Sequence, residues 1–348
     1  MKHLSRILLL VLILLLALPL WAQRVELLID EGAAVRNPPE SLELQYKFED
    51  KEIRRYDVTI TGSGVIKLPS QSDYAKVESR TTLTYVQHAK SQDLTTGVWK
   101  MEWDVINGQM IIPEFGSMEI TVPPIDLEMD KYGHVSNIKG LDDLGVTPGL
   151  TQGKLLADIT NQLKSTGFPS HPIKVGDKWE DKFTVELPDQ KPIPVASTSD
   201  FMEFERVNNF DCAKIHTTYE IPFTLKMKPE TEPKPAQGAG DLAKPTSASP
   251  VEDKPSVISG TEKGEFWTHF AYKEGKIIQS FGTIELVADI TKGEPSKDVK
   301  PAAEKEPAPD PALGEPPPKP PSHDLEVKYQ TVSKFNAQKP RFYGEENQ

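Results

Sequence analysis

The chain has 348 residues, 26% of them charged, and a formal net charge of −12 at pH 7. This acidic balance makes nucleic acid and anionic membrane surfaces poor partners, because both attract proteins through Lys and Arg. The single cysteine, Cys212, excludes an internal disulfide, so the core must hold the fold together.

The first residues are typical of a secretory signal peptide. Lys2 and Arg6 precede an unbroken apolar run over residues 7–20, and Ala22 offers a small residue for cleavage. The run is shorter than the roughly 20 apolar residues that a membrane-spanning helix needs. We expect residues 1–22 to be removed by cleavage after Ala22, and the alternative is an uncleaved N-terminal anchor. Both alternatives predict an exported protein of the periplasm, the cell surface or the extracellular space.

After an N-terminal extension over residues 23–41, residues 42–146 form a first predicted β block. Apolar and polar residues alternate there, which indicates antiparallel strands with one buried face. We interpret Gly62-Ser63-Gly64 as a hairpin turn. The apolar rows are Leu42, Leu44, Tyr46 and Phe48; Tyr56, Val58 and Ile60; Trp99, Met101, Trp103 and Val105; and Ile125, Leu127 and Met129.

Residues 147–168 are predicted to form a helix and a connector. Thr147 and Pro148 are a typical cap and first-turn pair, and apolar residues then follow at helical spacing. We interpret this helix as a strut packed across the sheet, and the alternative is a gate for a ligand. The apolar positions are Leu155, Leu156, Ile159 and Leu163.

Residues 169–335 form a second predicted β block, followed by a tail over residues 336–348. Its turn over residues 272–277 matches the turn over residues 129–135 of the first block, so the blocks look like loose copies of each other. The predicted fold is therefore mainly β, with two pseudo-repeated antiparallel curved β-sheet blocks and one packed amphipathic helix, α+β overall. The apolar rows are Phe183, Val185 and Leu187; Ile215, Thr217, Tyr219, Ile221 and Phe223; Ile284, Leu286, Ala288 and Ile290; and Leu325, Val327 and Tyr329.

Two proline-rich segments, residues 228–256 and 293–322, nearly exclude large apolar side chains. We predict that both are disordered or polyproline-like and that they are oversized hairpin loops within the second block. They are interpreted as solvated spacers. The alternative is that the proline run over residues 316–321 docks into an aromatic groove of a partner.

The sequence predicts no catalytic residues, no metal site and no cofactor. The histidines lack the spacing of metal ligands. Asp126, Glu128 and Asp130 are interpreted as the solvated face of a strand rather than a calcium loop, because Lys131 stands where such a loop needs glycine. Cys212 lies in an alternating stretch and is predicted to be a core residue, with a nucleophile as the alternative.

Four tryptophans lie in or beside the predicted strands. Indole rings are large enough to cover a core or to line a pocket. The default interpretation is core packing, and the alternative is a ligand-binding group. These candidate ligand-binding residues are Trp99, Trp103, Trp179 and Trp267.

The segment from Phe168 to Trp179, FPSHPIKVGDKW, resembles the signature of an uncharacterised family of secreted bacterial β-rich proteins with a Pro-x-x-Pro-Val-Lys-Val-Gly-Asp-x-Trp motif. The resemblance implies export and a β-rich fold, and it implies no activity. We expect residues 175–177 to form a tight turn that aims Trp179 into the core. Further segments resemble the family in the same order: residues 44–48, 133–140, 212–215 and 264–275.

These observations favour a non-catalytic binding or scaffold protein that holds a hydrophobic ligand, such as a lipid, on a concave sheet. One alternative is an envelope structural protein that docks other envelope proteins through its acidic, proline-rich loops. A further alternative is a hydrolase with an unrecognised site, although no nucleophile, base and orienting group occur together in the sequence.

Overall fold

The computed structural model describes residues 29–30, 32–67, 73–113, 116–140, 167–185, 193–227, 256–292 and 323–336. Over these residues the protein is mainly β, with thirteen strands and no helix. In chain order the strands are β1 (Ala33–Ala34), β2 (Ile53–Ile66), β3 (Ala75–Gln92), β4 (Trp99–Ile112), β5 (Gly116–Glu119), β6 (Ile125–Met129), β7 (Val135–Lys139), β8 (Lys178–Val185), β9 (Ile193–Val207), β10 (Phe210–Met227), β11 (Ser256–Ala271), β12 (Lys276–Lys292) and β13 (Leu325–Phe335).

All thirteen strands belong to one antiparallel sheet. The main path runs β1-β9-β10-β11-β12-β13-β2-β3-β4-β6-β7, while β5 pairs with β4 and β8 pairs with β9. Strands β3 and β10 reach 18 residues, whereas strands of globular proteins usually have about 3 to 10. The sheet is therefore both wide and long.

The predicted division into two blocks is not confirmed. Strand β13, from the end of the second predicted block, pairs with β2 from the start of the first over the register Leu325↔Ile66 to Phe335↔Tyr56. This pairing makes the two halves one continuous sheet. The predicted helix lies outside the described residues apart from its last two positions, and so do the predicted signal peptide and the proline-rich segments, except for Ser256.

The proline-rich segments connect strands that are antiparallel neighbours, as predicted for hairpin loops. Met227 pairs with Ser256 across β10 and β11, and β12 pairs with β13 from Ala288↔Leu325 onward. Because Ser256 also pairs with Lys292, both connections leave the same end of the sheet. We call this end the far end.

The pairing register divides the strand residues between two faces. Successive side chains of a strand point to opposite sides, and residues paired across strands point to the same side. The face that bears Phe266, Ile284 and Tyr329 is named the inner face, and the face that bears Trp267, Glu285 and Lys328 is named the outer face. Most inner-face residues are buried, including Met101, Leu127, Phe201, Phe270 and Ile284.

The prediction of a strand over residues 42–48 is wrong. The segment makes an isolated bridge between Leu42 and Ile173 and otherwise crosses the inner face. Its alternation is nevertheless meaningful, because Leu44 and Tyr46 are buried in an aromatic cluster with Phe168 and Phe270. We call residues 42–48 and 167–173 the plug, and the end of the sheet that they cover the closed end.

The plug binds strands that lie far apart in the sheet. The Tyr46 amide donates to the Lys131 carbonyl at 2.7 Å, in the turn between β6 and β7. The next amide, that of Lys47, donates to the Gly275 carbonyl at 3.1 Å, in the turn between β11 and β12. Four strands, β13, β2, β3 and β4, lie between these two hairpins in the sheet. The sheet must therefore curl to bring both turns to one short segment.

Arg54, at an inner-face position of β2, is the main polar contact of the plug. Its buried guanidinium donates to the Gly275 carbonyl at 3.0 Å and to the Lys47 carbonyl. It also binds Glu52 at 2.8 Å and lies 4.1 Å from the centre of the Phe48 ring. Burial alone would raise the pKa of Glu52, but the hydrogen bond and charge of Arg54 hold it below its usual value.

The substitution Arg54→Ala should lower the free energy of unfolding by about 3–5 kcal/mol, because it leaves a buried carboxylate and two carbonyl groups without their donor. Urea unfolding followed by circular dichroism measures this change. The matched control is Arg55→Ala on the outer face, where the side chain is 40% exposed and its ion pair spans 3.8 Å. That control should change stability by less than about 1 kcal/mol. Equal effects of the two substitutions would contradict the role given to Arg54.

Candidate functional site

The inner face changes in character from the closed end to the far end. Aromatic residues of the plug cover the closed end. At the far end, an aliphatic cluster from four strands contains Ile66, Val77, Ile258, Ala288 and Ile290. The middle of the face lies between them, and glycine, serine and threonine there are interspersed with large apolar side chains such as Tyr219, Phe266 and Ile284.

Three aromatic rings of the middle region lie flat over glycines of neighbouring strands. Tyr219 covers Gly264. Phe266 covers Gly282, and Tyr329 covers Gly62. Each glycine is required because a Cβ atom would collide with the ring. Gly62-Ser63-Gly64 is therefore part of β2, and its interpretation as a hairpin turn is wrong. Aromatic cover of glycines of this kind helps to fix the register and curvature of a sheet.

A belt of hydroxyl side chains crosses the middle of the inner face. Ser199 and Thr217 are hydrogen-bonded at 2.9 Å, and Thr268 and Ser280 at 3.2 Å. The buried members of the belt are Thr81, Ser197, Ser199, Thr217, Thr268 and Thr331. Sequence reasoning misses this belt, because the alternating rows are recognised by their large apolar residues and the small polar ones at the same positions give no such signal.

Charged side chains are few on the inner face of the described strands. Arg54 of β2 contacts the plug, Asp181 lies at the β8 edge, and Glu262 accepts a hydrogen bond from the Tyr219 hydroxyl at 3.1 Å. Near the rim of the closed end, Arg206 pairs with Asp211 at 2.6 Å. Glu262 is therefore the one charged group at the middle of the face, and the other described side chains there are uncharged.

The four candidate tryptophans do not form one site. Trp99 and Trp103 lie on the inner face of β4, in a cluster with β6. Trp179 also points to the inner face but lies on β8, at the opposite edge of the sheet, where its Nε1 donates to the Gly167 carbonyl at 2.9 Å. Trp267 lies on the outer face. The structure thus brings Trp99 and Trp103 together and separates them from the other two.

Trp267 is held in a stack of side chains on the outer face. Its ring lies 4.9 Å from that of His216 and 5.6 Å from that of Phe281, and all three rings are roughly parallel. In the pairing register His216, Trp267 and Phe281 are direct neighbours across β10, β11 and β12. The broad faces of the indole are therefore covered by its neighbours, which favours a structural role.

A groove of about 530 Å³ lies beside this stack on the outer face. It is lined by threonines and by a ladder of alternating charges. Glu220 binds Lys263 at 3.3 Å, and Lys328 binds Glu285 at 2.8 Å. Because Lys263 and Glu285 are paired in register, the ladder crosses four strands with its charges mutually compensated. The groove therefore offers no strong net charge to a ligand.

Cys212 is buried on β10, as predicted for a core residue. Burial raises the pKa of its thiol to about 12, and its Sγ lies 3.5 Å from the Phe210 carbonyl as a weak donor. The thiolate is the nucleophilic form of cysteine, so this thiol is chemically quiet at neutral pH.

The thiol of Cys212 should therefore be protected in the folded protein. At pH 8 an aromatic disulfide reagent is expected to react with it far more slowly in the native state than in denaturant, where the thiol regains a pKa of about 8.5. Absorbance of the released thiolate follows both reactions. Rapid labelling of native protein would instead favour the nucleophile alternative for Cys212.

The two edges of the sheet meet at the closed end. His134, in the turn between β6 and β7, binds Asp130 at 2.9 Å through Nδ1, and its Nε2 lies 3.7 Å from Asp181 of β8. Beside it, the Phe168 amide donates to the Tyr132 carbonyl at 2.8 Å. The hydrogen bond with Asp130 raises the pKa of His134, while burial raises the pKa of Asp181. This meeting point is named the seam.

The seam should make stability depend on pH. Because the pKa of His134 is raised in the folded state above its ordinary value of 6.5, its stabilising effect is full below that value and is lost as pH rises through the folded pKa. The difference in melting temperature between the wild type and His134→Gln should be positive near about pH 6 and vanish near about pH 9. The same change at His171, an exposed residue of the plug, is the control and should leave the melting temperature nearly unchanged at both pH values. A constant difference for His134→Gln would contradict the ionic contact.

The motif that carries the family resemblance forms a turn before β8, as expected. Gly176 has a φ of 92°, a conformation that favours glycine. The Asp177 amide donates to the Lys174 carbonyl at 3.0 Å, and the Asp177 carboxylate accepts from the Lys174 amide at 3.0 Å. The turn places Trp179 as the second residue of β8, facing inward.

The described residues contain no group of three or more His, Cys, Asp or Glu side chains arranged to hold a metal ion. Asp126 and Glu128 lie on the outer face of β6, while Leu127 is buried, as the strand interpretation requires. In the part of the chain that the structure describes, no helix has the length and apolar character needed to cross a bilayer.

Comparison with known proteins gives no family. No family model matches the chain, and no curated protein matches it. Among solved structures, the protein is similar to lipovitellin, in a structure concerned with lipid-protein interactions in lipovitellin, with 8% sequence identity and a TM-score of 0.42. The similarity covers 83% of this chain and 25% of the lipovitellin chain, so this protein spans about a quarter of that protein's length.

Proposed function

We propose that this protein is a non-catalytic, exported carrier that holds an apolar ligand of the lipid class on the inner face of its sheet. The observation that carries the proposal is the size of that face and the scarcity of charged side chains on it. With eleven strands on the main path and strands of up to 18 residues, the face measures about 50 Å in each direction. The plug covers the closed end of this area.

The middle of the face combines one apolar cluster with many glycine, serine and threonine residues. Its apolar cluster consists of Val195, Tyr219, Ile221, Phe266 and Ile284, which are neighbours on the same sheet. Two of these rings lie flat over glycines, and the surrounding belt has short hydroxyl side chains. A surface with few charges, on which apolar side chains are interspersed with short hydroxyl side chains, suits an acyl chain, because contact with it removes apolar area from water.

The outer face contrasts with the inner face and supports the assignment of one side to ligand and the other to water. Outer-face charges form compensated pairs, such as Lys90 with Glu102 at 2.6 Å and Lys214 with Glu205 at 2.9 Å. The proposal of export rests on the N-terminal sequence alone, and the proposal of a non-catalytic role is supported by the buried, protonated thiol of Cys212.

Residues 23–348, purified as a folded protein, should bind a fluorescent fatty-acyl probe saturably, with emission shifted to the blue as the probe leaves water. The titration is to be repeated in denaturant, where the saturable signal should disappear. A native titration with no saturable signal would remove the carrier proposal.

Photolabelling can show which face takes the ligand. A fatty-acyl probe with a photoreactive diazirine in its chain should label β12 with a period of two, at Ile284 and Leu286 and not at Glu285 or Val287, because the first pair faces inward. Mass spectrometry of proteolytic peptides identifies the labelled residues. Labelling at Glu285 and Val287 instead would place binding on the outer face and contradict the proposal.

A further inference from the structure

The indole N–H of Trp103 has no hydrogen-bond acceptor among the described residues, although Trp103 is only 5% exposed and Nε1 is shielded from water. A buried indole usually finds an acceptor, because a donor that loses water without replacement is destabilising. Trp179, on the same face, has such an acceptor in Gly167. A bound ligand with a hydrogen-bond acceptor would satisfy the indole N–H of Trp103.

The surroundings of Trp103 are able to adapt to a ligand. The cluster that buries it contains Met101, Met110 and Met129. Methionine is unbranched and flexible, fills irregular spaces and is common where one surface accepts different partners. The cluster therefore provides flexible apolar side chains together with one hydrogen-bond donor, the indole N–H of Trp103.

The polar residues paired in register with Trp103 indicate whether the bound group is charged or neutral. Gln87 pairs with Trp103 across β3 and β4 and is buried on the inner face, and Arg54 pairs with Gln87 across β2 and β3. The guanidinium of Arg54 is already bound to Glu52 and to two carbonyl groups. A carboxylate buried here would need a cation of its own, whereas a neutral carbonyl needs a donor alone.

We infer that Trp103 Nε1 donates a hydrogen bond to the carbonyl oxygen of a neutral fatty ester, with the acyl chain lying on the inner face. This inference rests on the proposed carrier function and adds the chemical class of the ligand's polar group. Trp103 is then a specificity-determining residue, which favours an ester over a hydrocarbon of the same length.

The test measures displacement of the fluorescent fatty-acyl probe by methyl hexadecanoate, by hexadecane and by hexadecanoate. The wild type should prefer the ester to the alkane by about five- to tenfold, the value expected for one hydrogen bond. Trp103→Phe should abolish that preference and leave the alkane affinity unchanged. Trp267→Phe, on the outer face, is the matched control and should retain the preference. A wild type that binds hexadecanoate most tightly would overturn the assignment of a neutral group.

Stability separates this role from a structural one. Because Trp103→Phe removes a donor that has no acceptor among the described residues, the ligand-free variant should lose only the packing of the larger ring and should be destabilised no more than Trp99→Phe in the same cluster. If the variant fails to fold, nuclear magnetic resonance of ¹⁵N-labelled wild type replaces it. One indole N–H signal should then move downfield with the ester and not with the alkane. The variants Trp99→Phe, Trp179→Phe and Trp267→Phe, which should each leave that signal in place, assign it to Trp103.

The outcomes distinguish the two proposals. If the probe binds and the ester preference survives Trp103→Phe, or no indole signal moves with the ester, the inference about Trp103 fails and the carrier function stands. If no apolar compound binds the wild type, both proposals fail.

Discussion

The guanidinium of Arg54 joins parts of the chain that the hydrogen bonds of the sheet leave apart. It contacts the plug at Lys47, the turn between β11 and β12 at Gly275, and its own strand neighbour Glu52. A sheet of this width could remain open, because antiparallel pairing alone does not bring its edges together. The plug and the buried guanidinium of Arg54 bring the two edges together. The seam at His134 then lies where β8 meets the turn between β6 and β7. The curl of the sheet therefore depends on a polar contact buried within an aromatic cluster.

We relate both the curvature of the sheet and the proposed ligand binding to the same small residues. Gly62, Gly264 and Gly282 let aromatic rings lie flat, which lowers the inner face and relieves crowding on the concave side. Serine and threonine in the belt keep the surface low, and their hydroxyl groups bond to one another, as Ser199 and Thr217 do. A core built for stability alone would favour large interlocking side chains at these positions. The inner face has large apolar clusters at its two ends, and in its middle short side chains surround one further apolar cluster, an arrangement that the proposed binding of a long apolar molecule would use.

Alternation in the sequence is sufficient to predict most long strands and their buried faces, as for Trp99 to Val105 and for Ile284 to Ile290. It is insufficient for residues 42–48, because an extended segment packed on a sheet shows the same alternation as a strand within it. The two-block interpretation fails because nothing local indicates that β13 pairs with β2, which is a contact between distant parts of the chain. The tryptophans cannot be grouped from the sequence, since their convergence depends on strand order and register. The sequence also does not predict that Trp103 Nε1 lacks an acceptor among the described residues, because this depends on every residue that packs around the side chain.

Amide hydrogen exchange of residues 42–48 tests most directly whether the plug is an integral part of a curled sheet. The amides of Tyr46 and Lys47 bind carbonyl groups of two distant turns, so they should open only when the sheet itself opens. We predict that they exchange as slowly as the central amides of β11 and β12, within one cooperative unit. Exchange of these two amides within seconds, while the strands remain protected, would show that the sheet holds its shape without the plug and would contradict the role of the plug in the curl.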